Sequence, residues 1–275
     1  HDVAPQDHFD LMPPRRALVT GASSGIGEAT ARRLAQDGYR VALLARRADE
    51  LERVRASLPR PDEHLALVCD LRDDGELARA VERVRERFGA LELVVQNAGQ
   101  GYLARVEETE PHEVRALLEL NVAAVVSLAR LSHPLLRAGD APAMVLVSSI
   151  VGRRGIPGQA VYAASKAALN SLGEALRVEW ATDGIAVSIL DVGLTRTPFF
   201  QHQPNPRKLS GPNLAGADDP ARVAAAIAEL ARAPRPELWL STKWRLLAIA
   251  NVLAPRLADR LLVRKLGGGW RAPTR

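Results

Sequence analysis

Short apolar runs alternate with stretches of helical period over most of this chain, and this alternation restricts its fold more than any other feature. Strands alternating with helices predict a parallel sheet that is covered on both faces. The fold class is therefore α/β, a doubly wound sheet of about seven strands. The predicted strands are ALVT, YRVALLA, HLALVCD, LELVVQN, PAMVLVSS, IAVSILDV and ELWLS, and the predicted helices lie near 25–37, 48–58, 73–88, 110–138 and 158–183 and from Asp219 onward.

The length and composition fit one folded domain with an added terminal element. The chain has 275 residues, of which 47% are hydrophobic and 25% charged, as in an ordinary globular protein. We expect a loose extension or cloning remnant over 1–14, the main domain over 15–242 and an extension over 243–275. The irregular, proline-containing stretch 198–217 predicts either a lid over a binding site or disorder.

Charge and cysteine content exclude several classes of protein. The net charge is +5, but eight Lys or Arg and one acid lie between Lys243 and Arg275, so the excess belongs to the tail and does not indicate nucleic acid. The single cysteine, Cys69, excludes an intramolecular disulfide, and we expect it to be a small buried residue. The sequence has neither a run of about 20 apolar residues, as a membrane span needs, nor a metal-ligand cluster. We expect a cytoplasmic protein.

The tail has apolar residues at helical spacing on both sides of Pro255. We expect two short basic amphipathic helices that end at the glycines 267–269. They are predicted to cap the sheet or to bury an oligomer contact, and the alternative is association with a membrane surface.

A glycine-rich turn joins the first predicted strand to the first helix. The sequence TGASSGIG places Gly21, Gly25 and Gly27 at this turn, together with Ser23 and Ser24. Glycines let the backbone approach a pyrophosphate closely, and the free N–H groups of a helix start attract its charge. The turn therefore predicts a dinucleotide cofactor, against the alternative of a plain tight turn.

The end of the second strand predicts which dinucleotide is bound. An acid at this position binds the ribose of NAD, whereas an arginine accommodates the extra phosphate of NADP. Here Ala45 takes the place of the acid and Arg46 and Arg47 follow it, so we expect NADP(H), with Arg46 preferred over Arg47 as the phosphate ligand and NAD(H) as the alternative. Asp70 is expected to bind the adenine amino group or to cap the next helix.

Several motifs, taken in order, resemble those of the short-chain dehydrogenase/reductase family. They are TGASSGIG, NAG at 97–99, Asn121, the serines 148–149 and YAASK at 162–166. The resemblance implies a Rossmann-like sheet of strand order 3-2-1-4-5-6-7 and a nicotinamide cofactor. It also implies that Ser149, Tyr162 and Lys166 are catalytic and that Asn121 supports them. The cofactor contacts that this resemblance and the glycine turn together predict are Gly21, Ser23, Ser24, Gly25, Ile26, Gly27, Arg46, Arg47, Asp70, Leu71, Asn97, Ala98, Gly99, Tyr162, Lys166, Val192, Gly193, Thr195 and Thr197.

The chain departs from the family pattern at two places. The first of two asparagines before Ala-Gly is Gln96, and the usual Pro-Gly after the sixth strand is Val192-Gly193. Asn97 and Gly193 retain the groups that such a site needs, so only the fine geometry of the second loop is put in doubt.

Tyr162 and Lys166 are four residues apart and thus share one face of a helix. A carbonyl that receives a hydride also needs a proton, which a tyrosine hydroxyl can donate. Lowering a tyrosine pKa from about 10 to about 7 takes about 4 kcal/mol, which one ammonium at about 4 Å can supply. We therefore expect Lys166 to lower the pKa of Tyr162.

These observations together predict an oxidoreductase that interconverts a carbonyl and an alcohol with NADP(H). The alternatives are an NAD-dependent alcohol dehydrogenase of the same fold and a cofactor-binding sensor or scaffold without catalysis. The substrate is expected to be a small, mostly apolar molecule, and the protein is expected to form a dimer or tetramer.

Overall fold

The computed structural model describes residues 14–266 and confirms the predicted α/β fold. Seven parallel strands form one sheet in the order β3-β2-β1-β4-β5-β6-β7. The strand order reverses direction between β1 and β4, so the crevice at the carboxyl ends of these two strands is the place where such sheets bind ligands. The strands are β1 Arg16–Thr20, β2 Arg40–Ala45, β3 Leu65–Val68, β4 Leu93–Gln96, β5 Ala143–Ser149, β6 Ala186–Val192 and β7 Glu237–Trp239.

Helices connect the strands and cover both faces of the sheet. A π-helical turn over Glu119–Ala123 separates α4 from α5, and short 3-10 turns follow β5 and α6. The helices are α1 Gly25–Gln36, α2 Ala48–Ala56, α3 Asp74–Phe88, α4 Pro111–Leu118, α5 Ala124–Arg137, α6 Ala160–Glu179, α7 Phe199–His202, α8 Pro220–Arg232, α9 Thr242–Leu253 and α10 Pro255–Leu266.

The central strands are apolar on both faces, because each face packs against helices. Leu18 and Val19 are neighbours on β1, and both are fully buried. Val19 packs in the core that includes residues of α1, α2 and α8, whereas Leu18 packs in the core that includes residues of α3, α5 and α6. Side chains alternate across a strand, so a continuous apolar strand joins two separate cores.

The stretch 198–217 contains the short helix α7 and little other regular structure. It ends just before α8, which begins at Pro220 with Asp219 as its cap: the Asp219 carboxylate accepts a hydrogen bond of 2.8 Å from the Ala221 N–H. A proline at the first helical position suits such a start.

The C-terminal helices α9 and α10 lie beside β7 and the turn after β5. Helix α9 contacts both of these elements and α10. The expectations for residues 1–13 and for the glycines 267–269 and the residues beyond them lie outside the described residues. Between residues 14 and 266, no helix is both long enough and apolar enough to span a bilayer.

Candidate active site

One cavity of about 1150 Å³ follows the carboxyl edge of the sheet. At one end it is lined by the glycine turn after β1 and by the residues that follow β2 and β3. Its middle holds the residues that follow β4, β5 and β6, and its other end is lined by 198–213 and by α9 and α10. The strand ends thus bring the motifs of distant sequence segments into one continuous space.

The glycine turn is packed so closely that larger residues would not fit. Gly21 has a φ of +66°, and a Cβ on Gly27 would lie 2.2 Å from the Gly21 carbonyl oxygen. Ser24 is the N-cap of α1, but its side chain makes no capping hydrogen bond. The first N–H groups of α1 therefore lack a side-chain acceptor, which leaves them available to an anion such as a pyrophosphate.

Two arginines follow β2 at the rim of the same cavity. Arg47 donates hydrogen bonds to the Ser23 hydroxyl at 3.1 Å and to the Ser24 hydroxyl at 2.8 Å. The side chain of Arg46 makes no hydrogen bond or ion pair with any part of the chain that the structure describes. Arg46 thus presents an uncommitted guanidinium to the cavity, and Arg47 is held against the glycine turn.

Asp70 and Leu71 line the cavity at the end of β3. The Asp70 carboxylate accepts hydrogen bonds from the Arg72 side chain at 3.0 and 2.6 Å, and these lower the pKa of Asp70. Asp70 does not cap α3, because Asp73 is the cap and accepts from the Glu76 N–H. The capping role expected for Asp70 is therefore wrong, and its contact with the adenine amino group stays a prediction.

The NAG segment is tied to the end of β1 by Thr20, a residue that the sequence analysis did not single out. The Thr20 hydroxyl accepts hydrogen bonds from the N–H groups of Asn97 at 3.0 Å and Ala98 at 2.9 Å. The Asn97 side chain in turn donates to the Thr20 carbonyl at 2.8 Å. Gln96, in place of the first asparagine, donates to the Val125 carbonyl at 2.9 Å and so anchors α5. The only signal for Thr20 was its position directly before Gly21.

Asn121 lies in the π-helical turn and is 1% exposed. Its amide accepts from the Gln100 N–H and donates to the Gln100 carbonyl, both at 2.9 Å, and it also donates to the Ser165 hydroxyl at 3.0 Å. A Cβ on Gly99 would lie 3.3 Å from the Asn121 side-chain oxygen and 3.5 Å from Lys166 Nζ. Asn121 therefore holds the backbone that passes directly beside Lys166.

Ser149, Tyr162 and Lys166 lie together at the middle of the cavity. Ser149 ends β5, and its hydroxyl is near enough to the Tyr162 hydroxyl to influence the pKa of that group. Lys166, one turn after Tyr162 on α6, donates to the Val147 carbonyl at 3.0 Å, and its Nζ lies 6.0 Å from the centre of the Tyr162 ring. The neighbouring Ser148 instead donates to the backbone carbonyl of Lys166, which fixes α6 against β5.

The expected lowering of the Tyr162 pKa is not found in this structure. Burial raises the pKa of Tyr162, and the neighbouring Ser149 hydroxyl has a smaller effect in the opposite direction. Burial also lowers the pKa of Lys166 to about 8. The reason is that both groups are removed from water, which disfavours the charged form of each. At neutral pH Tyr162 is thus a neutral phenol, and Lys166 is close to losing its proton.

The loop after β6 completes the middle of the cavity. Val192, Gly193, Thr195 and Thr197 all line it, as does Ile26 from α1. Thr195 is buried and pairs with Asp218 in a parallel bridge. A Cβ on Gly25 would lie 3.1 Å from the Thr197 side chain, so this loop reaches back to the glycine turn.

The sequence from residue 15 to residue 208 matches the model of the short chain dehydrogenase family. This chain belongs to that family. Its members in the comparisons that follow are oxidoreductases or dehydrogenases, and the chain is accordingly an NAD(P)-dependent oxidoreductase.

Relatives of the short-chain dehydrogenase family resemble the chain over most of its length. An uncharacterized oxidoreductase of Mycobacterium tuberculosis is 32% identical over 251 residues, which are 90% of this chain and 96% of the relative. A short-chain dehydrogenase from Streptomyces avermitilis has a TM-score of 0.77 at 30% identity and covers 95% of this chain and 100% of its own. An alcohol dehydrogenase from Thermococcus sibiricus, complexed with 5-hydroxy-NADP, has a TM-score of 0.74 at 31% identity, with 82% and 95% covered.

The structure also shows wall residues of the cavity that sequence analysis did not place there. Helices α9 and α10 contribute Trp244, Leu247, Leu257 and Leu261 to the lining. Their helical period was visible in the sequence, but nothing in it indicated which surface they cover. Between residues 14 and 266, no group of three or more His, Cys, Asp or Glu is placed to hold a metal ion.

Proposed function

We propose that the protein interconverts a carbonyl and an alcohol with NADP(H), using Ser149, Tyr162 and Lys166. The observation that carries this proposal is the position of these three side chains in the middle of the cavity. They lie between the glycine turn and an apolar chamber, which is the end of the cavity lined by α7, α9 and α10. A hydroxyl pair next to an ammonium suits a reaction in which a carbonyl oxygen gains negative charge and then a proton.

Each side chain has a distinct part in the reduction. The bound nicotinamide supplies the hydride that reaches the carbonyl carbon. Ser149 hydrogen-bonds the carbonyl oxygen, and Tyr162 donates its phenolic proton to that oxygen as the C–H bond forms, so the product is a neutral alcohol. The Lys166 ammonium stabilises the phenolate left behind. In the oxidative direction the Tyr162 phenolate takes the alcohol proton.

The Tyr162 hydroxyl carries its proton at neutral pH, although its raised pKa makes it a weaker acid than an ordinary phenol. A phenol with a pKa above its ordinary value is fully protonated at neutral pH, and this is the form that reduction requires. Asn121 makes all its hydrogen bonds to Gln100 and Ser165, so we assign it a positioning role: it fixes the backbone that borders Lys166.

The cofactor site fits a dinucleotide with an added phosphate. The uncapped start of α1 suits the pyrophosphate, and Gly99 leaves space beside Lys166. No acid follows β2, whereas the Arg46 guanidinium makes no hydrogen bond or close ion pair with the described residues and interacts with Asp70 only at longer range. We therefore propose that Arg46 pairs with the 2′-phosphate of NADP, with Arg47 fixed beside it by Ser23 and Ser24.

The alternatives differ in what they predict for the cofactor and for turnover. An NAD-dependent alcohol dehydrogenase would have no use for a phosphate-binding arginine at the end of β2. A sensor or scaffold would bind the cofactor without needing Ser149, Tyr162 and Lys166 in one place. We prefer NADP-dependent catalysis because the chain has both features.

A panel of ketones, aldehydes and thioesters, offered with NADPH and with NADH, tests the proposal through the nicotinamide absorbance. We expect oxidation of NADPH that depends on a carbonyl compound and yields one alcohol per cofactor. Binding of NADPH without turnover of any compound would support the scaffold instead, and a clear preference for NADH would support the NAD-dependent alternative.

Self-association and the location in the cell remain predictions. We expect a dimer or tetramer, and the alternative for the outer face of α9 and α10 is a membrane surface, since exposed apolar residues such as Val252 and Leu253 lie among basic ones. Sedimentation of the full chain and of a chain ending at Ser241, each with and without anionic liposomes, separates these cases. Location in the cytoplasm is expected from the sequence alone.

A further inference from the structure

The helices α9 and α10 carry most of the exposed apolar surface of the described residues. Of the thirteen large apolar residues that are exposed between residues 14 and 266, eight lie in these two helices. Isolated exposed apolar residues are normal, but a cluster of this kind indicates a binding surface. Both helices lie beyond residue 208, where the match to the family model ends.

This apolar surface has two sides, and one of them faces the cavity. Leu247, Leu257 and Leu261 are 46–56% exposed, and all three line the cavity. Val252, Leu253 and Val263 are more exposed and are not among the lining residues. A molecule in the cavity would therefore cover the exposed surface of Leu247, Leu257 and Leu261.

Residues of α7 add further apolar surface to the same cavity. It includes Phe199 and Phe200 from α7, whose rings pack edge to face at 5.2 Å. Phe199 in turn lies 5.8 Å from the Tyr162 ring, so the apolar walls begin directly beside the proposed proton donor. An apolar group attached to the reacting carbon would pass between α7 on one side and α9 and α10 on the other.

The polar side chains at this end of the cavity, Arg154, His202, Ser210, Asn213 and Asn251, are few beside the apolar ones. The Arg154 side chain lines it but pairs with Asp259 of α10, which neutralises its charge and ties α10 to the segment that follows β5. Asn251 also lines the chamber, with a buried side-chain oxygen that has no hydrogen-bond partner among the described residues. Burying an anionic tail against such walls would cost free energy without a matching cation.

We propose that α9 and α10 form a substrate-binding wall and that the substrate is an elongated, uncharged, apolar ketone or secondary alcohol. Its reacting carbon lies at Tyr162, and its chain extends between α7 and the pair α9–α10. This inference rests on the proposed function, since it names the substrate class of that same site. Such a substrate differs from a small polar carbonyl compound or a charged thioester in the amount of apolar surface that it buries in the chamber.

A series of 2-alkanones from butanone to dodecanone tests the inference with the full chain and NADPH. Each added methylene that is buried contributes about 0.8 kcal/mol, so kcat/KM should rise by about fourfold per methylene until the chamber is filled. A profile that is flat from butanone upward would overturn the inference while leaving the proposed function intact. Failure to reduce any carbonyl compound with either cofactor would instead overturn the proposed function.

Two substitutions on α10 form a matched pair for the same series. Ala258 lines the chamber, whereas Val263 is 68% exposed and does not line it. We expect Ala258→Phe to lower the ratio of kcat/KM for dodecanone over butanone by at least tenfold, and Val263→Phe to leave that ratio within twofold. The same ratio in both variants would contradict the proposal.

A smaller change and a binding measurement guard against a folding defect. Leu257→Ala removes half-exposed chamber surface and should lower the ratio severalfold in a protein with unchanged circular dichroism. Trp244 lines the chamber, so dodecanone should change its fluorescence, and the Trp244→Phe variant identifies that signal. Binding that depends on chain length without turnover would support the substrate-binding role of α9 and α10 and contradict the proposed chemistry. A lack of response to dodecanone would contradict the role of α9 and α10.

Discussion

The two ends of the cavity are lined by different kinds of structural element. The cofactor end consists of backbone turns at strand ends, such as Gly21 against Asn97, where a single added Cβ would collide with neighbouring atoms. The substrate end consists of side chains on α7, α9 and α10, many of them half exposed. A sheet edge allows little variation, whereas surface helices can exchange side chains without disturbing the core. Under the proposed function, cofactor binding depends on the first end and substrate choice on the second.

Substitution of Ser149 should have a large effect on the reaction while leaving the substrate end intact. Ser149→Ala removes a hydroxyl that lies beside Tyr162 and is proposed to bind the substrate oxygen. Loss of one such donor costs about 10²- to 10³-fold in kcat. Steady-state kinetics should show this loss for short and long ketones alike. A loss confined to long ketones would mean that Ser149 acts at the substrate end.

Replacement of Arg46 should weaken one cofactor only. A hydrogen bond to a charged group contributes about 1.5–3 kcal/mol, so Arg46→Ala should raise the KM for NADPH by about 10- to 100-fold and leave the KM for NADH within twofold. Arg83→Ala, which removes the same charge from the exposed face of α3, is the matched control. Equal changes for both cofactors would remove the argument for phosphate recognition.

The pH dependence of reduction should follow Lys166. Its pKa is lowered to about 8 by burial, so the ammonium is present below pH 8 and is lost as the pH rises above it. We expect kcat to be level near pH 7 and to fall by up to about tenfold per pH unit above 8, measured with saturating NADPH. Stability should change in the opposite sense, because the folded state binds fewer protons than the unfolded state between about pH 8 and the ordinary lysine pKa.

The variant Lys166→Met isolates this contribution. Between pH 8 and pH 10 the free energy of unfolding of the parent should rise relative to that of the variant, as measured by urea denaturation. A difference in unfolding free energy between the two proteins that stays constant over this range would show that folding does not lower the pKa of Lys166.

Changes at the substrate end should have the smallest and most selective effects. Phe200 lines the chamber and packs on Phe199, so Phe200→Ala should raise the KM for a long ketone by about three- to tenfold through lost apolar contact. The KM for NADPH should not change. An equal rise in the KM for NADPH would mean that the two ends of the cavity are not independent.

Much of the cofactor end could be predicted from the sequence because it depends on local rules. Glycines at a strand-to-helix turn, a tyrosine and a lysine one helical turn apart, and the alternation of strands and helices each fix a neighbourhood of only a few residues. The sheet order was carried over from the family resemblance and is confirmed. The proposed roles of Ser149, Tyr162 and Lys166 remain to be tested, although the structure brings the three together.

Other features depend on contacts that the sequence does not encode locally. The sequence does not show which of the two neighbouring arginines hydrogen-bonds Ser23 and which one faces the cavity. The raised pKa of Tyr162 follows from burial by distant segments, which the spacing of Tyr162 and Lys166 along the chain does not reveal. The sequence also does not show against which part of the protein the helices α9 and α10 pack, and therefore does not show that they line the cavity.

The most direct test of the account is a single-turnover reduction by the Tyr162→Phe variant with NADPH already bound. The account predicts that the variant binds NADPH as the parent does but oxidises it about 10²- to 10⁴-fold more slowly when a ketone is added, because the proton donor is missing. Equal single-turnover rates for parent and variant would contradict the assignment of Tyr162 and, with it, the proposed mechanism.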